Sequence, residues 1–457
     1  MADVAKEVTM GIVALAVFIT ITVVLNVPLR RPIAESLLVA LIGTALVGGT
    51  RFFELLSLGV VEALDNDVTF AGMAFVFMGV IVQQTGLIER LITIFNSMFG
   101  RLRGGAAYVS TAGSAAIGLV AGSTAGNAAT VGAVTIPWMK ENGWSPARSA
   151  TLVAGNSGLG VSLPPNSTMF IILAAIPAGL GVSGADVYVS LLVTGAYAVV
   201  YRMIVVWIWA RRDGLEPADA SEIMRLPQAL RQGWSSTLIF LGILIPVVLT
   251  FGPLYDWLSA SQRVGEEPMG EISIIVWVPI LISVIALIEG RKRLAGRWRE
   301  TARAVRDEAP QFATVGISLF SALAASTIMS ELGVGDQLSA ALESVHLPVP
   351  LLVLLICAAI VVVATPLSST ATAAAIGAPA VIAMDSMGIP AVVAVCAVLL
   401  CTSTEGASPP VGAPIYLASS LAKVEPRRMF VPLIVWFVVP VILLAWVVAL
   451  GFLPIPH

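Results

Sequence analysis

Residues 147–180 have the sequence ARSATLVAGNSGLGVSLPPNSTMFIILAAIPAGL, which fits neither one straight membrane helix nor two. A single helix over these residues would be about 51 Å long, whereas the hydrocarbon core of a bilayer is about 30 Å thick. Two crossings and a turn would need more than about 40 residues. Because Pro164 and Pro165 lack backbone donors and interrupt a helix, the stretch predicts one crossing that is broken halfway.

The composition of the whole chain is that of a membrane protein. Its 457 residues are 58% hydrophobic and 12% charged, against about 25% charged in soluble proteins. This excludes a soluble globular protein and predicts many crossings of a lipid bilayer, joined by short loops. A net charge of -3 offers no basic surface, so nucleic acid is not expected as a partner. The two histidines, His346 and His457, cannot form a His-rich metal site.

Apolar runs between charged or Pro/Gly-rich breaks predict eight straight crossings. These lie near residues 8–27, 33–50, 68–86, 187–210, 236–252, 272–289, 310–330 and 430–452. Basic residues gather after the first and third crossings and between residues 290 and 309, which the positive-inside rule places in the cytoplasm. With two broken helices the chain has ten crossings, and both termini are predicted on the periplasmic side.

Three further segments complete the predicted membrane part. Re-entrant helical hairpins are expected at residues 105–139, entering from the cytoplasm, and at residues 350–386, entering from outside. They turn near residues 122–127 and 368–370. A second broken helix is expected at residues 391–420, since Pro409 and Pro410 divide it.

The two halves of the chain form a sequence repeat at a constant offset of 245 residues. The first-half members of the ten identical pairs are Ser123, Ala128, Ala129, Gly132, Ala133, Met139, Gly143, Val153, Pro164 and Pro165. Because an odd number of crossings separates the copies, they are predicted to be inverted repeats. Inverted repeats with paired broken helices are typical of secondary transporters whose site lies at mid-membrane.

The repeat predicts how the chain is divided. Residues 1–67 are expected to form scaffold helices, 68–210 repeat 1, 211–309 scaffold helices with a basic cytoplasmic loop, and 310–457 repeat 2. Each repeat would contain an arm helix, a hairpin, a broken helix and a closing helix. The amphipathic arms, 86–103 and 332–346, could link a moving unit to a fixed frame, and a plain interfacial helix fits the pattern equally well.

The hairpin tips and helix breaks concentrate polar residues at membrane depth, almost all of them uncharged. They are Ser123, Thr124, Asn127, Asn156, Ser157, Ser162, Asn166, Ser167, Thr168, Ser368, Ser369, Thr370, Thr372, Thr402, Ser403, Thr404, Glu405 and Ser408. Hydroxyl, amide and carbonyl oxygens suit sodium, and half-helix N-termini favour an anion, so the pattern indicates an ion-coupled carrier of a carboxylate. Glu405 is expected to bind a cation or to carry a proton. Ser114, by contrast, is interpreted as a helix-packing residue.

Residues 79–173 resemble the large membrane subunit of TRAP (tripartite ATP-independent periplasmic) transporters. The matching motifs are Gly86-Leu-Ile-Glu-Arg-Leu91, Gly100-Arg-Leu-Arg-Gly-Gly105, Gly122-Ser123, Ile136-Pro-Trp-Met-Lys140, Gly143 and Leu163-Pro-Pro165. Pro409-Pro-Val-Gly412 resembles the signature of the family's second half. Asn166 departs from the pattern, because Ser is common at that position in the family.

The resemblance implies an all-α polytopic membrane protein, an elevator-type transporter of the ion transporter superfamily kind. It would sit in a bacterial or archaeal inner membrane. It would take an organic acid from a periplasmic substrate-binding protein and work with a small four-helix membrane subunit. Sodium would be the transported coupling ion, and no organic cofactor is implied.

The resemblance also implies positions for the ions and the substrate. One sodium ion would lie among Ser123, Asn127, Gly160, Leu163 and Pro165, and another among Ser368, Ser369, Thr370, Glu405 and Ser408. Substrate would contact Asn156, Ser157, Asn166, Ser167, Thr168, Thr372, Thr402, Ser403 and Gly412.

Two other functions remain open on the sequence alone. A single-component sodium- or proton-coupled anion carrier would have the same broad architecture without a binding protein. A remote alternative is an intramembrane serine protease, because Gly155-Asn-Ser-Gly158 matches a Gly-x-Ser-Gly signature. Neither histidine lies in a crossing where it could act as the base for Ser157.

Overall fold

A computed structural model describes residues 10–26, 28–65, 67–121, 123–217, 223–250, 253–261, 274–334, 337, 347–365 and 367–456. In these residues every regular element is helical, apart from one isolated bridge between Arg103 and Pro217. The α-helices are Met10–Asn26, Ile33–Val47, Phe52–Asp65, Asp67–Thr85, Leu87–Phe99, Gly105–Ala121, Thr124–Glu141, Pro146–Asn156, Ser167–Ala175, Gly184–Arg212, Leu226–Thr237, Leu241–Thr250, Pro253–Ser259, Ile274–Leu294, Trp298–Asp307, Ala309–Glu331, Val349–Ala364, Ser369–Thr372, Ala378–Ser386, Ala391–Thr402, Ala413–Ala422, Arg427–Leu433 and Val439–Ala449.

Local capping explains where several of these helices begin. The side chains of Ser123, Ser145, Asn166, Ser183 and Ser368 each accept a hydrogen bond from a backbone N–H in the first turn. Such caps satisfy donors that the helix itself leaves unpaired. Three of the five caps lie at the predicted hairpin tips and breaks, so the interruptions are encoded locally.

Four helices in the described residues are long and apolar enough to cross a bilayer by themselves. They are Gly184–Arg212, Leu226–Thr250, Phe312–Glu331 and Arg427–Ala449. A fifth span arises if Met73–Thr85 and Arg90–Phe99, which meet at a bend of 76°, count as one. Five further apolar helices in this part of the chain are shorter: Val349–Ala364, Ala391–Ala407 and Ala413–Ala422 belong to the predicted second hairpin and second broken helix, whereas Met10–Asn26 and Ile33–Val47 were predicted as full crossings. The protein is a multi-pass helical membrane protein.

Four helices of the described residues lie mainly outside the predicted segments: Phe52–Asp65, Leu226–Thr237, Pro253–Ser259 and Trp298–Asp307. Phe52–Asp65 and Trp298–Asp307 are helical but were not predicted, because their charged residues interrupt the apolar runs on which the crossings were placed. The first arm is helical at Leu87–Phe99. Most of the second predicted arm, 332–346, lies outside the described residues.

We name four segments by their residues. The first hairpin is Gly105–Ala121 with Thr124–Glu141, and the first broken helix is Pro146–Asn156 with Ser167–Ala175. The second hairpin comprises Val349–Ala364 and the helical run 369–386, which contains a π-helical turn. The second broken helix is Ala391–Thr402 with Ala413–Ala422.

The helix bounds repeat at the offset seen in the sequence. Thr124–Glu141 corresponds residue for residue to the run 369–386. Gly143 and Gly388, also 245 residues apart, both have φ +84°. Both Pro-Pro bonds, Pro164-Pro165 and Pro409-Pro410, are cis. The two halves therefore share one local fold over the hairpins and broken helices.

The two broken helices pack directly against each other at their breaks. A methyl group built on Gly158 would lie 1.8 Å from the carbonyl oxygen of Ser403, and one on Gly406 would lie 2.1 Å from Oγ of Ser157. Gly158 and Ser403 are themselves 245 residues apart, so equivalent positions of the two repeats meet at this contact. The two breaks are therefore in direct contact.

Candidate functional site

Asn127 ties the first hairpin to the first break. Its Nδ2 donates to the carbonyl oxygens of Ser114 and Ser157, both at 2.9 Å. One of these carbonyls belongs to the other helix of the hairpin, and the other begins the 3₁₀ turn Ser157–Gly160 that interrupts the broken helix. A single buried amide therefore sets the position of three backbone segments.

The same segments approach each other through glycine. A methyl group built on Gly118 would lie 2.6 Å from Cα of Gly160, and one on Gly160 would lie 2.3 Å from the carbonyl oxygen of Gly118. Only residues without Cβ permit this contact. Gly160, which the resemblance placed in a sodium site, therefore lies directly against the first hairpin.

Three buried oxygen atoms of the first hairpin and the first broken helix have no hydrogen-bond partner within the described part of the chain. They are Oδ1 of Asn127, Oδ1 of Asn156 and Oγ of Ser114. The Asn156 amide donates its Nδ2 proton to Oγ1 of Thr111, 2.9 Å away on the same hairpin helix as Ser114. Unpaired buried oxygens are costly unless a ligand satisfies them. They are also hard ligands of the kind that alkali and alkaline-earth cations prefer.

A cavity of about 30 Å³ lies between the first hairpin and the first break. Its lining includes most of the residues that were predicted there: Ser123, Ser157, Gly160, Pro165, Asn166, Ser167 and Thr168. Space of this size holds about two water molecules, so it suits an ion and is too small for an organic acid. Of the five residues predicted at the first sodium site, Ser123, Gly160 and Pro165 line this ion-sized cavity, and Asn127 and Leu163 do not.

The side chain of Asn166 stabilises the backbone conformation of the first break. Its Oδ1 accepts from the backbone N–H of Met169 at 2.8 Å, and its Nδ2 donates to the carbonyl oxygens of Val161 and Leu163 at 3.1 and 2.8 Å. The Leu163 carbonyl, a predicted sodium ligand, thus already accepts one hydrogen bond. The Asn166 side chain is engaged with the backbone, although it was predicted to contact substrate.

Glu405 joins both hairpin tips to the second break. Its Oε2 accepts from Oγ of Ser369 at 2.7 Å and from the backbone N–H of Ser369 at 3.3 Å. The hydroxyl of Thr124 donates to the same carboxylate, 3.0 Å from Oε1 and 2.9 Å from Oε2. Glu405 and Ser369 were both predicted at the second ion site, and the structure brings them together.

Thr124 was missing from the predicted ligands, although the repeat contained the signal for it. Thr124 and Ser369 are 245 residues apart, and each is the first helical residue after a capping serine. The two hydroxyl donors to Glu405 are therefore equivalent positions of the two repeats. Applying the offset to Ser369 would have identified Thr124.

Other predicted residues of the second half direct their hydroxyl protons to carbonyls of their own segment. The acceptors are the carbonyl oxygens of Leu399 for Thr402, Leu400 for Ser403, Thr404 for Ser408 and Ser368 for Thr372. Their oxygens keep a lone pair for a ligand, but their protons are engaged. Thr370 is half-buried, and Gly412 begins the second half of the second broken helix.

Solved structures show which class of protein has this fold. The Alcanivorax borkumensis YdaH transporter superposes with a TM-score of 0.58 at 13% identity, with 89% of each chain covered. Neisseria gonorrhoeae MtrF, described as illuminating a class of antimetabolite efflux pumps, gives 0.61 at 13% identity, with 88% of this chain and 85% of that chain covered. At this identity the likeness concerns the fold alone. The fold is that of a multi-pass helical membrane protein.

Residues 12–450 match the family model of the tripartite ATP-independent periplasmic transporter, DctM component. The chain belongs to this family, the large permease subunits of TRAP transporters. The resemblance that the motifs indicated is therefore confirmed. The family is one of transporters, which argues against the protease alternative.

Individual relatives are distant. The chain is 24% identical over 199 residues to the C4-dicarboxylate TRAP transporter large permease protein DctM of Pseudomonas aeruginosa, covering 43% of this chain and 44% of the relative. It is 28% identical over 170 residues to the isethionate TRAP transporter permease protein DctMQ of Oleidesulfovibrio alaskensis, covering 37% and 27%. An uncharacterised protein of Sinorhizobium fredii, y4mL, is 28% identical over 229 residues, covering 49% and 52%. The matches span about half or less of the length of these curated relatives.

Proposed function

We propose that the protein is the transport subunit of a sodium-coupled uptake system for an organic acid. A periplasmic substrate-binding protein would deliver the acid, and a small four-helix subunit would complete the membrane part. The observation that carries this proposal is that the first hairpin and the first broken helix contain buried oxygens, on Ser114, Asn127 and Asn156, that have no hydrogen-bond partner in the described residues.

Sodium fits that group better than a proton does. The unpaired atoms of Ser114, Asn127 and Asn156 are hydroxyl and amide oxygens, which do not titrate near neutral pH. A proton carrier, by contrast, needs an ionisable group. Unwound backbone at a helix break adds carbonyl oxygens at the same place. The ligands would come from both the first hairpin and the first broken helix, so bound sodium would hold these two segments together.

An elevator motion fits the way the repeats interlock. Ala413–Ala422 of the second broken helix packs against Thr124–Glu141 of the first hairpin and against Pro146–Asn156 of the first broken helix. Contacts of this kind unite the two repeats into one body. The chain bends by 76° between Met73–Thr85 and the first arm helix. We propose that this body moves and carries the ion and the acid together.

The proposal that the substrate is an organic acid rests on the family and on the residues of the site. Two relatives are named as permeases for C4-dicarboxylates and for isethionate, both of them small organic anions. Carboxylate and sulfonate groups accept hydrogen bonds, and the hairpin tips of this chain provide donors in the hydroxyls of Thr124 and Ser369 and the backbone N–H of Ser369. We therefore propose a small organic anion as substrate.

The test is uptake into proteoliposomes that contain the full chain, with its small subunit and binding protein added. Radiolabelled succinate and isethionate serve as probes, with an inward sodium gradient compared with an equal choline gradient. We expect sodium-dependent accumulation of an organic anion. Asn127→Ala should reduce it, while Asn142→Ala, the same change at the other end of the same helix, should not. Equal uptake in sodium and choline would contradict the proposal.

A further inference from the structure

The donors around Glu405 form a complete binding site for one carboxylate. Two hydroxyls and one backbone N–H, from Thr124 and Ser369, converge on the two oxygens of a single carboxyl group. The shortest contact, 2.7 Å from Oγ of Ser369, has the length of a charge-assisted hydrogen bond. One donor residue comes from each repeat, so the carboxylate lies where the two hairpin tips meet.

The carboxylate that occupies this site is the side chain of Glu405. Glu405 follows the first half of the second broken helix in the 3₁₀ turn Glu405–Ala407, and its side chain is buried. Across the two tips and the two breaks (residues 123–127, 156–168, 368–372 and 402–412) it is the only charged residue. Neutral donors alone therefore hold this carboxylate, and another carboxylate of similar size satisfies the same donors.

We infer that Thr124 and Ser369 form a carboxylate subsite which Glu405 occupies in this conformation and from which the carboxylate of the substrate displaces it. The inference rests on the proposed function and names the part of the site that takes the acid group. A displaced Glu405 loses its three hydrogen bonds while it stays buried, and an ionised buried carboxylate needs a cation. Sodium meets that need, so substrate binding and sodium binding are linked.

Removal of the Glu405 carboxylate tests this directly. Glu405→Ala deletes a CH₂–COO⁻ group, and acetate has nearly the same size and the same charge. We expect acetate to stabilise Glu405→Ala against thermal unfolding in a saturable way, because a ligand that binds the folded state raises the unfolding midpoint. Wild type should show no such response in the absence of sodium. The assay uses purified full-length chain in nanodiscs, with choline acetate against choline chloride at equal ionic strength.

The role of the hydrogen-bond donors is tested by further substitutions in the Glu405→Ala variant. Adding Thr124→Val to Glu405→Ala should weaken acetate binding at least about tenfold, which is about 1.4 kcal/mol. Thr151→Val is the matched control, because the hydroxyl of Thr151 donates to the carbonyl of Ala147 in its own helix. It should leave acetate binding unchanged. Equal losses in the two variants would overturn the assignment of the donors.

Two results would overturn the inference as a whole: Glu405→Ala folds but does not respond to acetate, or wild type responds equally. If Glu405→Ala does not fold, Glu405→Gln keeps the size of the side chain and weakens its hold on the donors. It should then bind acetate at least about tenfold more tightly than wild type, and an unchanged affinity would overturn the inference. The assay needs no gradient and no partner protein, so its failure is distinct from failure of the proposed function, which would appear as missing sodium-driven uptake.

Discussion

Gly118→Ala should push the first hairpin away from the first broken helix. The new methyl group would lie 2.6 Å from Cα and 2.7 Å from the backbone nitrogen of Gly160. These are backbone atoms, which cannot rotate out of the way. The two segments must therefore separate by about 0.8 Å before the contact reaches an ordinary 3.4 Å.

Two terms set the expected loss of stability. Overpacking of a tight contact costs about 1–3 kcal/mol, while alanine in place of glycine in a helix returns up to about 1 kcal/mol. We expect a net loss of about 1–2 kcal/mol in the free energy of unfolding. Sodium affinity should fall more sharply, by at least about tenfold, because a ligand shell tolerates displacements of only about 0.5 Å.

The assay is thermal unfolding of the purified protein across a sodium chloride series, with choline chloride keeping the ionic strength constant. Gly113→Ala is the matched control in the same hairpin helix, since its methyl group would meet only Cγ1 of Val131, at 3.8 Å. That variant should match or exceed wild type in stability and keep its sodium response. The reasoning is refuted if Gly118→Ala is as stable as Gly113→Ala and responds to sodium as wild type does.

Three further predictions concern the ion sites and the topology. Ser123→Leu should abolish sodium dependence of uptake in a folded protein, because it removes an oxygen at the lining of the cavity; unchanged sodium dependence would exclude Ser123. Glu405→Gln should weaken sodium affinity about tenfold during uptake and leave the pH profile unchanged, because a carboxylate ligand becomes neutral; a flattened pH profile with normal sodium affinity would identify a proton carrier instead. Single cysteines at residues 291–306 should react with impermeant reagents only from the cytoplasm, and labelling from the periplasm would reverse the topology.

The sequence located the tips and breaks well because their signals are local. Pro164 and Pro409 interrupt helices wherever they occur, and Asn166 and Ser368 cap the helices that follow them. The offset of 245 residues also carried over into the helix bounds. The prolines and the caps depend on neighbours within a few residues, and the repeat is visible when two parts of the same sequence are compared.

The hydrogen-bond partners of the site residues could not be predicted from such local signals. Thr124 and Glu405 are 281 residues apart, and only the packed arrangement of the two repeats brings them into contact. Ser114 was interpreted as a packing residue, yet its hydroxyl is buried without a partner in the described part of the chain, on the helix whose backbone accepts from Asn127. A sequence shows which segments are polar. It does not show which oxygen atoms are left without a hydrogen-bond partner once the helices pack.

The central claim is that the tips and breaks hold sodium, and direct binding of radioactive sodium tests it most closely. The purified chain, reconstituted in nanodiscs, is incubated with ²²Na⁺ and challenged with unlabelled sodium, potassium or choline. Our account predicts saturable binding that sodium displaces and choline does not, and that Asn127→Ala weakens at least about tenfold. Absence of saturable binding, or equal binding in wild type and Asn127→Ala, would contradict it.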